Sequence, residues 1–104
     1  MKFHFPLRSQ NPRELIRRAG YGEWYDREFD TLSYTKKLGV DNYPRFHIYV
    51  TEMSDRFEID LHLDQKQASY LKGHAHSGEY DGSQVEEEAR RITAVIAEIY
   101  GIVI

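Results

Sequence analysis

The chain has 104 residues, 40% hydrophobic and 13% aromatic, a size and composition that predict one folded domain with one modest core. It contains no cysteine, which excludes disulfide staples, thiolate zinc sites, iron–sulfur clusters and cysteine nucleophiles together. The net charge of −3 hides an asymmetry: residues 1–50 carry nine Lys/Arg against six Asp/Glu, and residues 51–104 carry five against eleven. The halves are thus +3 and −6, a dipolar chain whose overall acidity disfavours a generic nucleic-acid binder.

In chain order, Phe3, Phe5 and Leu7 alternate with Lys2, His4 and Pro6, which suits a short edge strand. Asn11 as N-cap, Pro12 at the first helical position and Glu14 predict a helix over about 11–20, stopped by Gly20. Leu15, Ile16 and Ala19 form its apolar stripe, with Arg13, Arg17 and Arg18 outside. Residues 21–30 concentrate Tyr21, Trp24, Tyr25 and Phe29 among glycines and acids and read as an aromatic-packed loop. Leu32 to Leu38 reads as a strand, with Leu32, Tyr34 and Leu38 on one side.

The hairpin at about 44–64 is the clearest β signal. Phe46, Ile48 and Val50 alternate with Arg45, His47 and Tyr49; Phe57, Ile59, Leu61 and Leu63 alternate with Glu58, Asp60, His62 and Asp64. With Ser54-Asp55 as a two-residue loop, Phe46 faces Leu63, Ile48 faces Leu61 and Val50 faces Ile59. The same register sets Arg45 opposite Asp64, His47 opposite His62 and Tyr49 opposite Asp60 on a polar, wetted face.

Ser83-Gln84-Val85-Glu86 has the pattern of a capping box, and Val85, Ala89, Ile92, Ile96 and Ile99 recur at helical spacing, which predicts an amphipathic helix over about 83–100. Glu86, Glu87 and Glu88 read as solvated first-turn acids, with Glu86–Arg90 and Glu87–Arg91 as supporting pairs. The apolar tail Ile102-Val103-Ile104 calls for cover, by its own core or by a second copy of the chain, so a homodimer is an expectation. No run approaches the roughly 18 apolar residues of a membrane span, and the N-terminus lacks a signal-peptide core, so a cytoplasmic location follows by default.

Chemistry concentrates between Asp60 and Asp81. Asp60, His62 and Asp64 project from one face of a strand, and His74-Ala75-His76 can present two imidazoles to one ion. The metal reading takes His62, His74 and His76 as ligands to zinc or another divalent transition metal. Asp64 or Glu79 would complete the shell or act as catalytic base, with Asp60 orienting His62. In the plainer reading His47 and His62 are cross-strand surface partners and 74–81 is a polar loop. Ser69 or Ser77 with a histidine and Asp64 offers the residue types of a triad but no nucleophile elbow, and no Gly-rich loop sits where a nucleotide site needs one. Arg13, Arg17, Arg18, Lys36 and Lys37 beside Trp24, Tyr25 and Tyr34 carry a weaker nucleic-acid reading.

His62-Leu63-Asp64-Gln65-Lys66 together with His76-Ser77-Gly78-Glu79-Tyr80-Asp81-Gly82 resembles a group of small bacterial proteins over about the last two thirds of the chain. The resemblance implies a small protein of bacterial type and nothing about mechanism. The expected fold is α+β, a small antiparallel sheet centred on the hairpin with an N-terminal and a C-terminal helix. The expected function is a small interaction or regulatory module, homodimeric; the alternative is a metal-binding protein, a metal-dependent hydrolase, with its histidines in the 60–81 segment.

Overall fold

The computed structural model describes residues 1–65, 78–79 and 82–102. The architecture is α+β: strands β1 (Lys2–Pro6), β2 (Gly22–Asp26), β3 (Thr31–Lys37), β4 (Arg45–Glu52), β5 (Arg56–Asp64) and β6 (Gly78–Glu79), with helices α1 (Pro12–Arg18) and α2 (Ser83–Tyr100). All pairings are antiparallel, in the order β1-β5-β4-β3-β2, and β6 adds to the far half of β5 beyond β1. Both helices cover one face of the sheet. Leu15 and Ile16 of α1, and Val85, Ile92 and Ile96 of α2, share a core with Phe46, Ile48, Phe57, Ile59, Leu61 and Leu63. Each fully buried aliphatic or aromatic side chain there contributes about 1.5–3 kcal/mol.

The hairpin adopts the register its alternation dictates: Arg45↔Asp64, Phe46↔Leu63, His47↔His62, Ile48↔Leu61, Tyr49↔Asp60 and Val50↔Ile59. Met53 N–H bonds the Arg56 carbonyl at 2.7 Å, which leaves Ser54-Asp55 as the two-residue loop. A shift by one residue would turn every apolar side chain of β5 to the wrong face, so burial and turn geometry specify one register. Helix α1 begins as expected, with the Asn11 side chain accepting from Arg13 N–H at 3.0 Å. It ends where Gly20 takes φ 101.

Four expectations need correction. Residues 22–26 form edge strand β2 rather than loop, paired with β3 from Gly22↔Thr35 to Asp26↔Thr31. Its side chains are exposed on both faces, so no inward/outward alternation marked it. The loop read over 74–81 contains β6, which pairs Gly78 with Asp64 and Glu79 with Leu63. Helix α2 is capped by Gly82 at φ 120, with no side-chain cap bond, so Ser83 is its first residue and the capping box does not form.

Finally, Glu88 is buried at 6% exposure, not solvated. It accepts from Tyr21 Oη at 2.5 Å and from Arg91 at 2.7 and 2.8 Å, and Arg91 also donates to the Ala19 carbonyl at 2.7 Å. Arg91 therefore pairs at i,i+3 with Glu88, and this network ties α2 to the end of α1; Glu86–Arg90 does form, at 3.8 Å. Among the described residues no helix is long and apolar enough to cross a membrane.

Candidate functional site

The face of the sheet opposite the helices carries His47 and Tyr49 from β4 and Asp60, His62 and Asp64 from β5. Alternation along a strand sends these side chains outward, but they are not simply wetted: His47 is 4% and His62 7% exposed. Tyr49 stacks on both imidazoles, at 4.7 Å from His47 and 5.7 Å from His62, and Trp24 meets His47 edge-on at 5.9 Å. The two imidazole centroids are 4.9 Å apart.

Asp64 is the hub. Its Oδ2 lies 3.0 Å from His47 Nδ1 and 3.3 Å from Arg45 Nε, and its Oδ1 lies 3.1 Å from His62 Nε2. Burial alone pushes a carboxyl upward; hydrogen bonds and charge from His47 and His62 outweigh it and hold Asp64 well below the usual carboxylate range. Arg45 is fixed in turn, its guanidinium 4.6 Å from the Tyr43 ring and 5.5 Å from the Trp24 ring.

The far side of His47 is held equally firmly. His47 Nε2 lies 2.7 Å from the hydroxyl of Ser33, which is 1% exposed, and that hydroxyl donates to the Trp24 carbonyl at 3.3 Å. A hydroxyl has one proton. Directed at Trp24, it leaves Ser33 to accept from His47 Nε2–H; directed at Nε2, it lets His47 Nδ1–H donate to the carboxylate. The same three groups have the connectivity of a serine triad, but Ser33 stands in the middle of a strand and not on a nucleophile elbow.

His47, His62 and Asp64 each place one ligand atom within 4.8 Å of the others. Ligand bonds of about 2.0–2.2 Å require neighbouring donor atoms about 3.0–3.5 Å apart; His47 Nδ1 and His62 Nε2 lie 3.0 and 3.1 Å from different oxygens of Asp64, and the donor set as a whole falls within 4.8 Å, so the side chains would close slightly on a shared ion. Two imidazoles and one carboxylate suit zinc or another divalent transition metal. The Ser33 hydrogen bond supplies the outer-shell partner that a ligating histidine needs to fix its tautomer.

Of the residues singled out from sequence, His62 and Asp64 come together, joined by His47 at its register position. Glu79 is placed by its backbone opposite Leu63. His74 and His76 lie outside the described residues, as do Ser69 and Ser77. Asp60 Oδ1 lies 3.8 Å from the Met1 ammonium. Sequence reasoning missed Ser33 and Trp24: a lone serine in a strand gives no signal, and Trp24 stood in a stretch read as loop. Compared with known proteins, the chain matches no family model, no curated protein and no solved structure.

Proposed function

We propose that this protein binds a divalent transition metal through His47, His62 and Asp64, with His74 and His76 as the donors that would complete the coordination. The observation that carries the reading is the convergence of two buried imidazoles on one strongly acidic carboxylate, with one donor atom from each of the three within 4.8 Å of the others. An ion held there supplies Lewis acidity, and the chain's own contribution is to orient its donors: Ser33 holds His47, Tyr49 stacks on both rings, and Arg45 steadies Asp64. Glu79 is the candidate base of a hydrolytic use of the site. The resemblance of the 62–66 and 76–82 segments to small bacterial proteins supports a bacterial source, and a cytoplasmic location belongs to the same proposal.

The test is a zinc titration followed by long-range proton–nitrogen NMR, which reads each imidazole nitrogen separately. Coordination should shift His47 Nδ1 and His62 Nε2 while His47 Nε2 stays protonated; resonances that do not move at stoichiometric zinc would refute the reading.

A second reading, an interaction module that forms a homodimer, is favoured by one feature. Strand β1 has β5 on one side only among the described residues, and beside it an apolar hollow of about 580 Å³ opens between Met1, Phe3, Ala89 and Thr93. Ile102, 41% exposed, is a further apolar group available for burial. Light scattering across a concentration series decides it: a dimer mass supports self-association, and a monomer mass throughout removes it.

A further inference from the structure

The stretch from Trp24 to Asp30 has no part in the metal cluster beyond Trp24, yet it exposes large aromatic surface: Trp24 is 40%, Phe29 70% and, beside them, Tyr49 39% exposed. These three surround a hollow of about 150 Å³ completed by Asp26, Thr31 and Ser33. Its origin lies in residue size. Trp24 pairs with Ser33 across β2 and β3, and the Tyr34↔Ile48 pair brings Tyr49 alongside Ser33 at the next step of β4. A small side chain flanked on both neighbouring strands by large rings leaves a slot whose floor is the Ser33 side chain.

The orientation of the walls selects the occupant. Trp24 stands at 89° to the His47 ring and Tyr49 at 24° to it, so the Trp24 and Tyr49 planes are steeply inclined to each other and no flat ring can stack on both. A tetrahedral ammonium has no plane to match and can meet inclined ring faces within the roughly 6 Å reach of a cation–π contact. The end of the slot is acidic. The turn Asp26-Arg27-Glu28-Phe29-Asp30 holds three carboxylates against one arginine. Asp26 lines the hollow, and its Oδ1 caps that turn by accepting from the backbone N–H groups of Glu28 at 3.0 Å and Phe29 at 3.4 Å, which fixes the carboxylate in place. Arg45, already over the Trp24 ring, is anchored on Asp64 and does not line the hollow.

We propose that this hollow binds a small quaternary or alkylated ammonium group, with Trp24, Phe29 and Tyr49 as the aromatic walls and Asp26 as the counter-charge. The site is independent of the metal reading and shares with it the Ser33 floor and the Trp24 and Tyr49 walls. About 150 Å³ corresponds to roughly five waters at about 30 Å³ each, the size of a trimethylammonium head with one further carbon.

Trp24 is the single tryptophan of the chain, so its fluorescence reports on the site directly. Metal-free protein is titrated with tetramethylammonium chloride, with choline chloride and with 3,3-dimethylbutan-1-ol, the uncharged carbon analogue of choline, against sodium chloride at matched ionic strength. The expected result is a saturable change with both cations, and at least fivefold weaker binding of the neutral analogue. Phe29→Ala and Asp26→Asn should each weaken cation binding about two- to fivefold, as an exposed cation–π contact or its counter-charge predicts. Phe29 is largely exposed and Asp26→Asn keeps the side-chain oxygen that caps the turn, so both variants should fold. No saturable change with either cation, equal binding of the neutral analogue, or unaltered affinity in both variants would overturn the proposal.

Discussion

Asp64 holds three basic side chains at once, and its removal is correspondingly expensive. Asp64→Asn keeps the shape but takes the charge from beside His47, His62 and Arg45, leaving buried donors aimed at a weaker acceptor. Charge-assisted hydrogen bonds of this kind are worth about 1.5–3 kcal/mol each, not additively, so a loss of about 2–3 kcal/mol is expected by urea denaturation. A loss below 0.5 kcal/mol, the size of an ordinary surface change, would show the cluster to be solvated. The second buried charge, Glu88, makes a pH prediction. Burial first, then the hydrogen bond to Glu88, pushes the Tyr21 hydroxyl far above its ordinary value. A raised value means that the unfolded chain releases this proton first. Its stabilisation is thus complete below about pH 10, where an unfolded tyrosine titrates, and erodes as pH rises beyond it. Thermal unfolding from pH 8 to 11 should show a steeper alkaline decline in the native sequence than in Tyr21→Phe. Parallel declines would remove Tyr21 as the cause. His62 and Asp64 stood out in the sequence because strand alternation put them on one face, and His47 followed from the register. Glu88 did not, because an acid in a helix's first turn already has a sufficient reason to be there in the helix dipole.

At the level of elements, the hairpin and α2 were readable because each repeats a period long enough to be unmistakable, period two over β4 and β5 and period 3.6 over α2, and α1 because Asn11, Pro12 and Gly20 mark its ends. Strands β2 and β6 were not. The first is an exposed edge whose two faces look alike, and the second is two residues long, held by pairing with β5 that no local pattern announces. The bounds of α2 were read correctly but its cap was not, for a related reason: Ser83 fits a capping box, but Gly82 at φ 120 turns the chain into the helix. That backbone conformation is nearly exclusive to glycine, so Gly82→Ala should cost about 1–3 kcal/mol, whereas Ser83→Ala, which removes no cap bond, should cost under about 0.5 kcal/mol. The reverse order in thermal melts would restore Ser83 as the cap.

Taken whole, the molecule divides its labour between the two faces of one sheet. The helical face supplies stability through Phe57, Ile59, Leu61 and their partners; Phe57→Ala, at a fully buried position, should cost about 3–5 kcal/mol. The opposite face gathers two histidines, two aspartates, an arginine and, with the adjoining turns, four exposed or stacked aromatics, more chemistry than a purely structural surface requires. Its central claim is a bound metal. The direct measurement is elemental analysis by plasma mass spectrometry of the tag-free protein, after dialysis against zinc and then metal-free buffer, beside His47→Gln and His62→Gln. The account predicts close to one metal ion per chain in the native sequence and its loss in both variants; no retained metal, or equal retention in all three proteins, would contradict it.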